Sequence, residues 1–417
     1  MSVHRPFELA AEALAERFAY VRDRTLALCR GLSAEDMMVQ SMPDASPTKW
    51  HLAHTSWFFE QFVLGREPGY RSPQPQWSYL FNSYYEAVGP RHERPRRGLL
   101  SRPSLEEVLD YRQHVDRHVR ELLRGIGDDQ RHHLVELGLQ HEQQHQELLL
   151  TDIKHALWSN PMRPALLPAP GPALAELSAP LRFIAGREGI VELGHAAEGF
   201  AFDNETPRHR TLLQPHAIAN RPVTNAEYAA FIHDGGYREA SLWLSEGWAT
   251  VQQQGWQRPL YWEADLLSEF TLYGVRAIDP QASVCHLSFF EADAFARWAG
   301  ARLPTEAEWE SLAATQPIAG NLQDSLRLHP GVASGEGVQQ LYGDVWEWTA
   351  SPYVSYPGFR PLPGALGEYN GKFMSGQWVL RGGSCATPRD HLRASYRNFF
   401  PPYARWQFAG IRLGQDR

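Results

Sequence analysis

The stretch His141-Glu142-Gln143-Gln144-His145-Gln146-Glu147 decides how the first half of this chain reads. Two histidines four apart on a helix lie one above the other on one face. Both imidazoles are then within reach of a single metal ion. At about 100° per residue, Glu147 lies about 120° from His141 and about 160° from His145 around the axis. It is a poor ligand for the same ion. Asp152 returns to the histidine face, but about 10 Å further along the axis. That distance suits a place behind a ligand or against a neighbouring helix. A third ligand has to come from another helix.

Working outward, the surrounding pattern predicts a helix from Asp129 to Trp158 and three more before it. Phe7 to Gly31 has helical apolar periodicity and stops at a glycine. Ser46-Pro47-Thr48-Lys49-Trp50 opens a second helix running through His54 and Phe58 to about Leu64. Within it, Trp50-His51-Leu52-Ala53-His54 offers two candidate third ligands, and spacing does not choose between them. Leu52, Trp57, Phe58 and Phe62 form its apolar face. Ser104 and Glu107 stand at capping-box positions for a third helix. The connection from Gly65 to Ser101 holds Phe81-Asn82-Ser83-Tyr84-Tyr85 and a basic run from Arg91 to Arg97. A connection that long inside a compact domain is usually functional. Four helices with one long connection predict a bundle, and bundles build metal sites from inward side chains.

Beyond Asn160 the texture changes. Residues 161–180 are rich in proline and alanine and read as a linker. Residues 181–417 hold more glycine, proline and tryptophan, in short apolar segments between turns. They predict an irregular α+β domain with two helices, near Thr224–His233 and Ser288–Ala299. The expected organisation is therefore a helical bundle over 1–160, a linker over 161–180 and an α+β domain over 181–417, which fits a chain of 417 residues.

The net charge of −8 gives no attraction for phosphate backbones, so a nucleic-acid partner is not expected. The three cysteines, Cys29, Cys285 and Cys385, are far apart and form no CxxC pair. They read as buried thiols in a reducing cytoplasm. The first residues carry charges throughout, unlike a signal peptide. No run of about 18 apolar residues is present, so no membrane span is expected. The expected location is cytoplasmic, and nothing in the sequence speaks to oligomeric state.

Three neutral imidazoles suit Zn, Fe, Cu or Ni. HEQQH also fits the zinc-peptidase pattern H-E-x-x-H, with Glu142 as the general base. The extension H-x-x-G-x-x-H is missing, because Gln146-Glu147-Leu148 follows His145. That weighs against a peptidase.

Trp50-His51-Leu52-Ala53-His54 followed by the HEQQHQE stretch resembles the DinB-like bundle of the ergothioneine-biosynthesis sulfoxide synthases. The second half resembles the formylglycine-generating-enzyme, or sulfatase-modifying-factor, domain, an irregular C-type-lectin-like fold. The matching segments are Arg221-Pro222-Val223-Thr224-Asn225-Ala226-Glu227-Tyr228, Arg302-Leu303-Pro304-Thr305-Glu306-Ala307-Glu308-Trp309-Glu310, Gly343-Asp344-Val345-Trp346-Glu347-Trp348, Arg381-Gly382-Gly383-Ser384 and Gly410-Ile411-Arg412-Leu413. The implied fold class is α+β multidomain. Sulfatase-modifying enzymes use a cysteine pair for copper. Cys285 and Cys385 lack the expected neighbours, so function has to be argued from the site.

The resemblance implies a non-haem Fe(2+) enzyme that uses O2 to join a sulfur donor to C2 of the imidazole of hercynine, the betaine N-trimethylhistidine. The implied ligands are His54, His141 and His145. His54 is preferred over His51 because the family's ligand ends the Leu-Ala-His triplet. Tyr84 and Tyr85 match a tyrosine pair of one branch, and one of them is the expected proton donor. Gln144 matches a hercynine-contacting glutamine, and Asn398 a second contact near the trimethylammonium. Phe399 stands where relatives carry tryptophan. Phe400, Tyr403 and Trp406 would add cation–π faces.

The donor is less determined. Arg91 and Arg94 resemble an arginine pair that binds a donor carboxylate. Phe400 stands where the γ-glutamylcysteine-using branch carries an acidic residue. Free cysteine is one remaining donor. A selenosugar, as in the related selenoneine synthases, is another, and would favour an aromatic and polar pocket from Phe400, Tyr403, Trp406 and Gln407. A small-thiol transferase working without O2, or a binding module with a vestigial metal site, are the readings from other classes.

Overall fold

The structure is a computed structural model that describes residues 4–125, 129–169, 177–196 and 199–417, with side chains from residue 12 onward. Part of the expected linker, 170–176, lies outside the described residues. The chain divides into two compact units, Met1–Pro161 with Gly364–Leu366, and Met162–Pro363 with Gly367–Arg417.

The first unit contains α1 (His4–Leu28), α2 (Thr48–Phe62), the short α3 (Trp77–Phe81), α4 (Leu105–Arg124) and α5 (Asp129–Ser159). Pro47 precedes α2 with φ −58°, already set for a helix start. Ser104 caps α4 through the reciprocal box with Glu107. Helix α2 is the central element. It packs on α4 and α5, and nearly all its residues are buried. Helix α1 closes the bundle against α4 and α5. Close approach of α2 and α5 depends on Gly138, where a Cβ would stand 2.4 Å from the Phe59 ring. The long connection is not structureless, since α3 and a 3-10 turn at Arg94–Leu99 interrupt it.

Glu142, the acidic residue of the HEQQH stretch, is buried inside the bundle. Its carboxylate accepts from Arg112 (2.5 Å), Arg22 (2.8 Å) and the Thr25 hydroxyl (2.6 Å). Glu142, Arg22 and Arg112 are all essentially unexposed. Burial pushes the Glu142 carboxyl up, but Arg112 and Arg22 outweigh it and hold it at about 2.

Among its described residues the second unit carries eleven short strands: β1 (Phe183–Ala185), β2 (Gly189–Leu193), β3 (His209–Leu213), β4 (His216–Ala219), β5 (Ser268–Thr271), β6 (Gly274–Ala277), β7 (Trp346–Pro352), β8 (Trp378–Arg381), β9 (Asn398–Phe400), β10 (Ala409–Gly410) and β11 (Gly414–Asp416). The largest sheet has the order β10-β7-β8-β9. β10 is parallel to β7, and the other pairs are antiparallel. A second sheet, β1-β4-β11, ties the last strand to the first.

The family-matching segments of this unit supply many of its internal ion pairs. Glu347 holds Arg412 at 2.7 Å, both fully buried. Arg381 meets Glu310, and Arg397 meets Glu306 at 2.9 Å. Buried charges need partners of this kind, so these segments are fold-holding residues first.

The sequence pattern predicts two helices here, and the described residues form four: α6 (Asn225–His233), α7 (Ser245–Gln254), α8 (Phe289–Trp298) and α9 (Glu306–Ala313). α9 begins with a complete Thr305–Glu308 capping box. α7 follows Leu244 with no side-chain cap. The described linker residues are docked, not free. Leu166 and Leu167 both donate to the Leu272 carbonyl, and Ala179 donates to that of Ala333. All three cysteines are buried thiols. Among the described residues no helix is long and apolar enough to cross a membrane.

Candidate metal centre

α2 and α5 lie against each other in the first unit, and their histidine faces meet. One ring nitrogen each from His54, His141 and His145 lies within 4.8 Å of the other two. His54 and His141 are fully buried, and His145 is half-buried. Burial first, then neighbouring imidazoles and the Arg97 guanidinium, push His54 and His145 well below the ordinary histidine range. Burial pushes His141 down to about 3, against the opposing pull of Glu142. All three rings are therefore neutral near pH 7, the form that ligates metal.

The tautomers follow from partners. His54 Nδ1 lies 2.6 Å from the Phe81 carbonyl, which only accepts, so the proton sits on Nδ1 and the lone pair on Nε2. That Nε2 faces His141 Nε2 at 3.2 Å. The separation suits two adjacent ligands of one ion with bonds of about 2.1 Å. A set of buried, neutral, convergent imidazoles fits a divalent transition metal.

Aromatic rings enclose the cluster. Trp50 stacks on His54 with centroids 4.5 Å apart, and Phe58 stacks on His141 at 4.2 Å. Arg97 lies over the Trp50 ring at 3.4 Å and donates to Ser46 Oγ at 2.9 Å. Sequence reasoning named Arg91 and Arg94 from the basic run, but the buried arginine beside the histidines is Arg97. Arg91 instead pairs with Glu86, and Arg94 reaches the Asp44 carbonyl. Spacing could not separate them. The signal for Arg97 is its stacking on Trp50, which only the fold creates.

His51 is absent from the cluster. Its Nδ1 lies 2.9 Å from His145 Nδ1, and its Nε2 lies 3.0 Å from Asp152 Oδ2. Gln144 is half-buried on α5, next to His145. Tyr85 is fully buried against Phe62, Trp57 and Phe58, at 5.1, 5.7 and 6.3 Å between centroids. It stands one ring layer behind the rings that touch His54 and His141. Tyr84 is half-buried and packs on Tyr85 at 4.7 Å.

The remaining expected residues belong to the second unit. Asn398 opens β9, and its side-chain oxygen accepts from Phe399 N at 2.9 Å. Phe399 stacks on Tyr353 at 4.0 Å and on Phe373 at 5.9 Å, so it is engaged in packing. Phe400 and Trp406 stand edge to face at 5.9 Å, and Tyr403 is 44% exposed.

Two known families match the two units. Residues 17–149 match the DinB superfamily, and residues 182–328 and 325–417 match the sulfatase-modifying factor enzyme 1-like domain. The chain is thus a DinB-type bundle joined to a formylglycine-generating-type domain. Two curated relatives are similar over nearly the whole chain. Hercynine oxygenase of Mycolicibacterium smegmatis is 34% identical, over 98% of this chain and 100% of its own. That of Mycobacterium tuberculosis is 34% identical over 97% of this chain and 99% of its own. Ergothioneine biosynthesis protein 1 of Schizosaccharomyces pombe is 29% identical over 51% of this chain and 27% of its own length. The chain belongs to the hercynine oxygenase family and is an oxygenase.

Proposed function

We propose that this protein is an Fe(2+)- and O2-dependent enzyme that forms a carbon–chalcogen bond at C2 of the hercynine imidazole. The observation that carries this reading is the buried, neutral His54–His141–His145 cluster in a chain similar to hercynine oxygenases over its whole length. His54, His141 and His145 would hold the ion. Bound there, iron(II) would supply O2 activation and hold both substrates on one centre, making bond formation effectively unimolecular.

The chain's own residues do the rest. The Phe81 carbonyl fixes the His54 ring. Trp50 and Phe58 shield two of the rings from water. Gln144, half-buried on α5 next to His145, is the hydrogen-bonding group for the hercynine imidazole. Tyr84 or Tyr85 donates a phenolic proton during bond formation, since a phenol holds its proton at neutral pH.

Cysteine is the proposed donor. A selenosugar is the second reading, and a specific arrangement favours it. Arg91 is engaged by Glu86 and Arg94 by a backbone carbonyl, so neither guanidinium is set aside for a donor carboxylate. Incubating the iron-loaded enzyme with hercynine, O2 and either cysteine, γ-glutamylcysteine or a selenosugar separates the donors by product mass. Product from cysteine alone supports the first reading, and product from the selenosugar alone replaces it with the second. No hercynine adduct from any donor would overturn both.

A further inference from the structure

We infer that His51 and Asp152 are positioning residues that fix the tautomer and raise the donor strength of His145 toward a bound metal ion; this rests on the metal-site reading above. Asp152 Oδ2 accepts from the Ser46 backbone N–H at 2.8 Å and lies 3.0 Å from His51 Nε2. Asp152 and His51 are both buried. A carboxylate only accepts, so His51 carries its proton on Nε2. With the ring's one proton on Nε2, His51 presents a lone pair at Nδ1. That atom faces His145 Nδ1 at 2.9 Å, so His145 must donate there and keep its lone pair on Nε2. Each tautomer dictates the next, and the last frees the atom that a metal would take.

The relay also makes the ligands unequal. His54 is backed by a neutral carbonyl, whereas His145 is backed, through one imidazole, by a buried carboxylate. Hydrogen bonding of a ligand's far nitrogen to a carboxylate raises its basicity, and loss of such a partner typically weakens metal binding about 10–100-fold. His51 sits three residues before the His54 position on α2, and Asp152 two turns beyond His145 on α5. The chain therefore spans both ligand-bearing helices, and a plain tie between helices is the competing explanation.

Titration of the full-length, metal-free protein with Co(2+) separates these. The readouts are the dissociation constant, the visible absorption bands and the melting temperature without metal. The expected result for Asp152→Ala and His51→Ala is Co(2+) binding weakened about 10–100-fold with shifted bands. Asp152→Asn should fall between, because an amide oxygen still accepts from Ser46 and His51 but carries no charge. Variants that melt lower yet bind Co(2+) with parental affinity and spectrum would overturn the inference and leave a helix tie. If the alanine variants do not fold, parental affinity in Asp152→Asn overturns it equally. Failure of the parent to bind Co(2+), or undiminished binding by His54→Ala, would instead overturn the metal site itself.

Discussion

Arg112 Nη2 donates to Glu142 Oε1 at 2.5 Å, inside the bundle and beside the His141 that would ligate metal. The glutamate that makes HEQQH look like a peptidase motif is therefore a structural anion, shared by α1, α4 and α5. Removing one partner of a buried ion pair leaves an uncompensated charge and costs about 3–5 kcal/mol. Glu142→Ala should lose about that much stability in urea unfolding, through the stranded Arg112, while Arg22 keeps Asp116 at 2.6 Å. A variant that unfolds like the parent but has lost its activity would restore Glu142 as a catalytic base.

The tyrosine pair divides by exposure. If either phenol supplies the proton, Tyr84→Phe or Tyr85→Phe should divert turnover from the hercynine adduct toward oxidised donor. Product ratios from chromatography with mass detection check this. Unchanged ratios in both variants would leave the pair as packing alone. Tyr85→Ala should in any case be costly, about 3–5 kcal/mol on the scale of aromatic-to-alanine changes in cores, because Tyr85 fills the space between Trp57, Phe58 and Phe62.

Acid stability of the second unit has an identifiable contributor. Burial pushes the Glu205 carboxyl up, but Arg393, Ser395 and the Phe202 N–H together hold it below the usual range. A carboxyl depressed on folding contributes stability that is fully present above the unfolded value of about 4.3 and is lost as pH falls through its folded value. Glu205→Gln should therefore be much less stable than the parent at pH 7. The gap should narrow as pH falls below about 4. Unfolding free energies measured from pH 3 to 7 test it. A gap independent of pH would mean that Glu205 acts by shape rather than charge.

The bundle was legible because helical signals are local. Periodicity, the Ser104–Glu107 box and the Gly31 stop lie within a few residues of what they specify. The Thr305–Glu308 box of α9 is equally local in the sequence, behind Pro304. α7 had no such signal at Leu244. The choice of His54 over His51 came from resemblance, not spacing. What separates the two rings physically is their distant partners, Phe81 for one and Asp152 for the other. Helix phase placed Asp152 on the histidine face, but not its contact with His51. Arg97 was hidden among like residues, since its burial depends on Trp50 across the fold.

On the proposed function, His54, His141 and His145 hold an iron that reacts with O2. The most direct test loads the metal-free protein with Fe(2+) or Zn(2+), adds hercynine and the accepted donor, and follows adduct formation with and without O2. The account predicts adduct only with Fe(2+) and O2 together, and none from His54→Ala. Adduct formed without O2, or equally with Zn(2+), would contradict it.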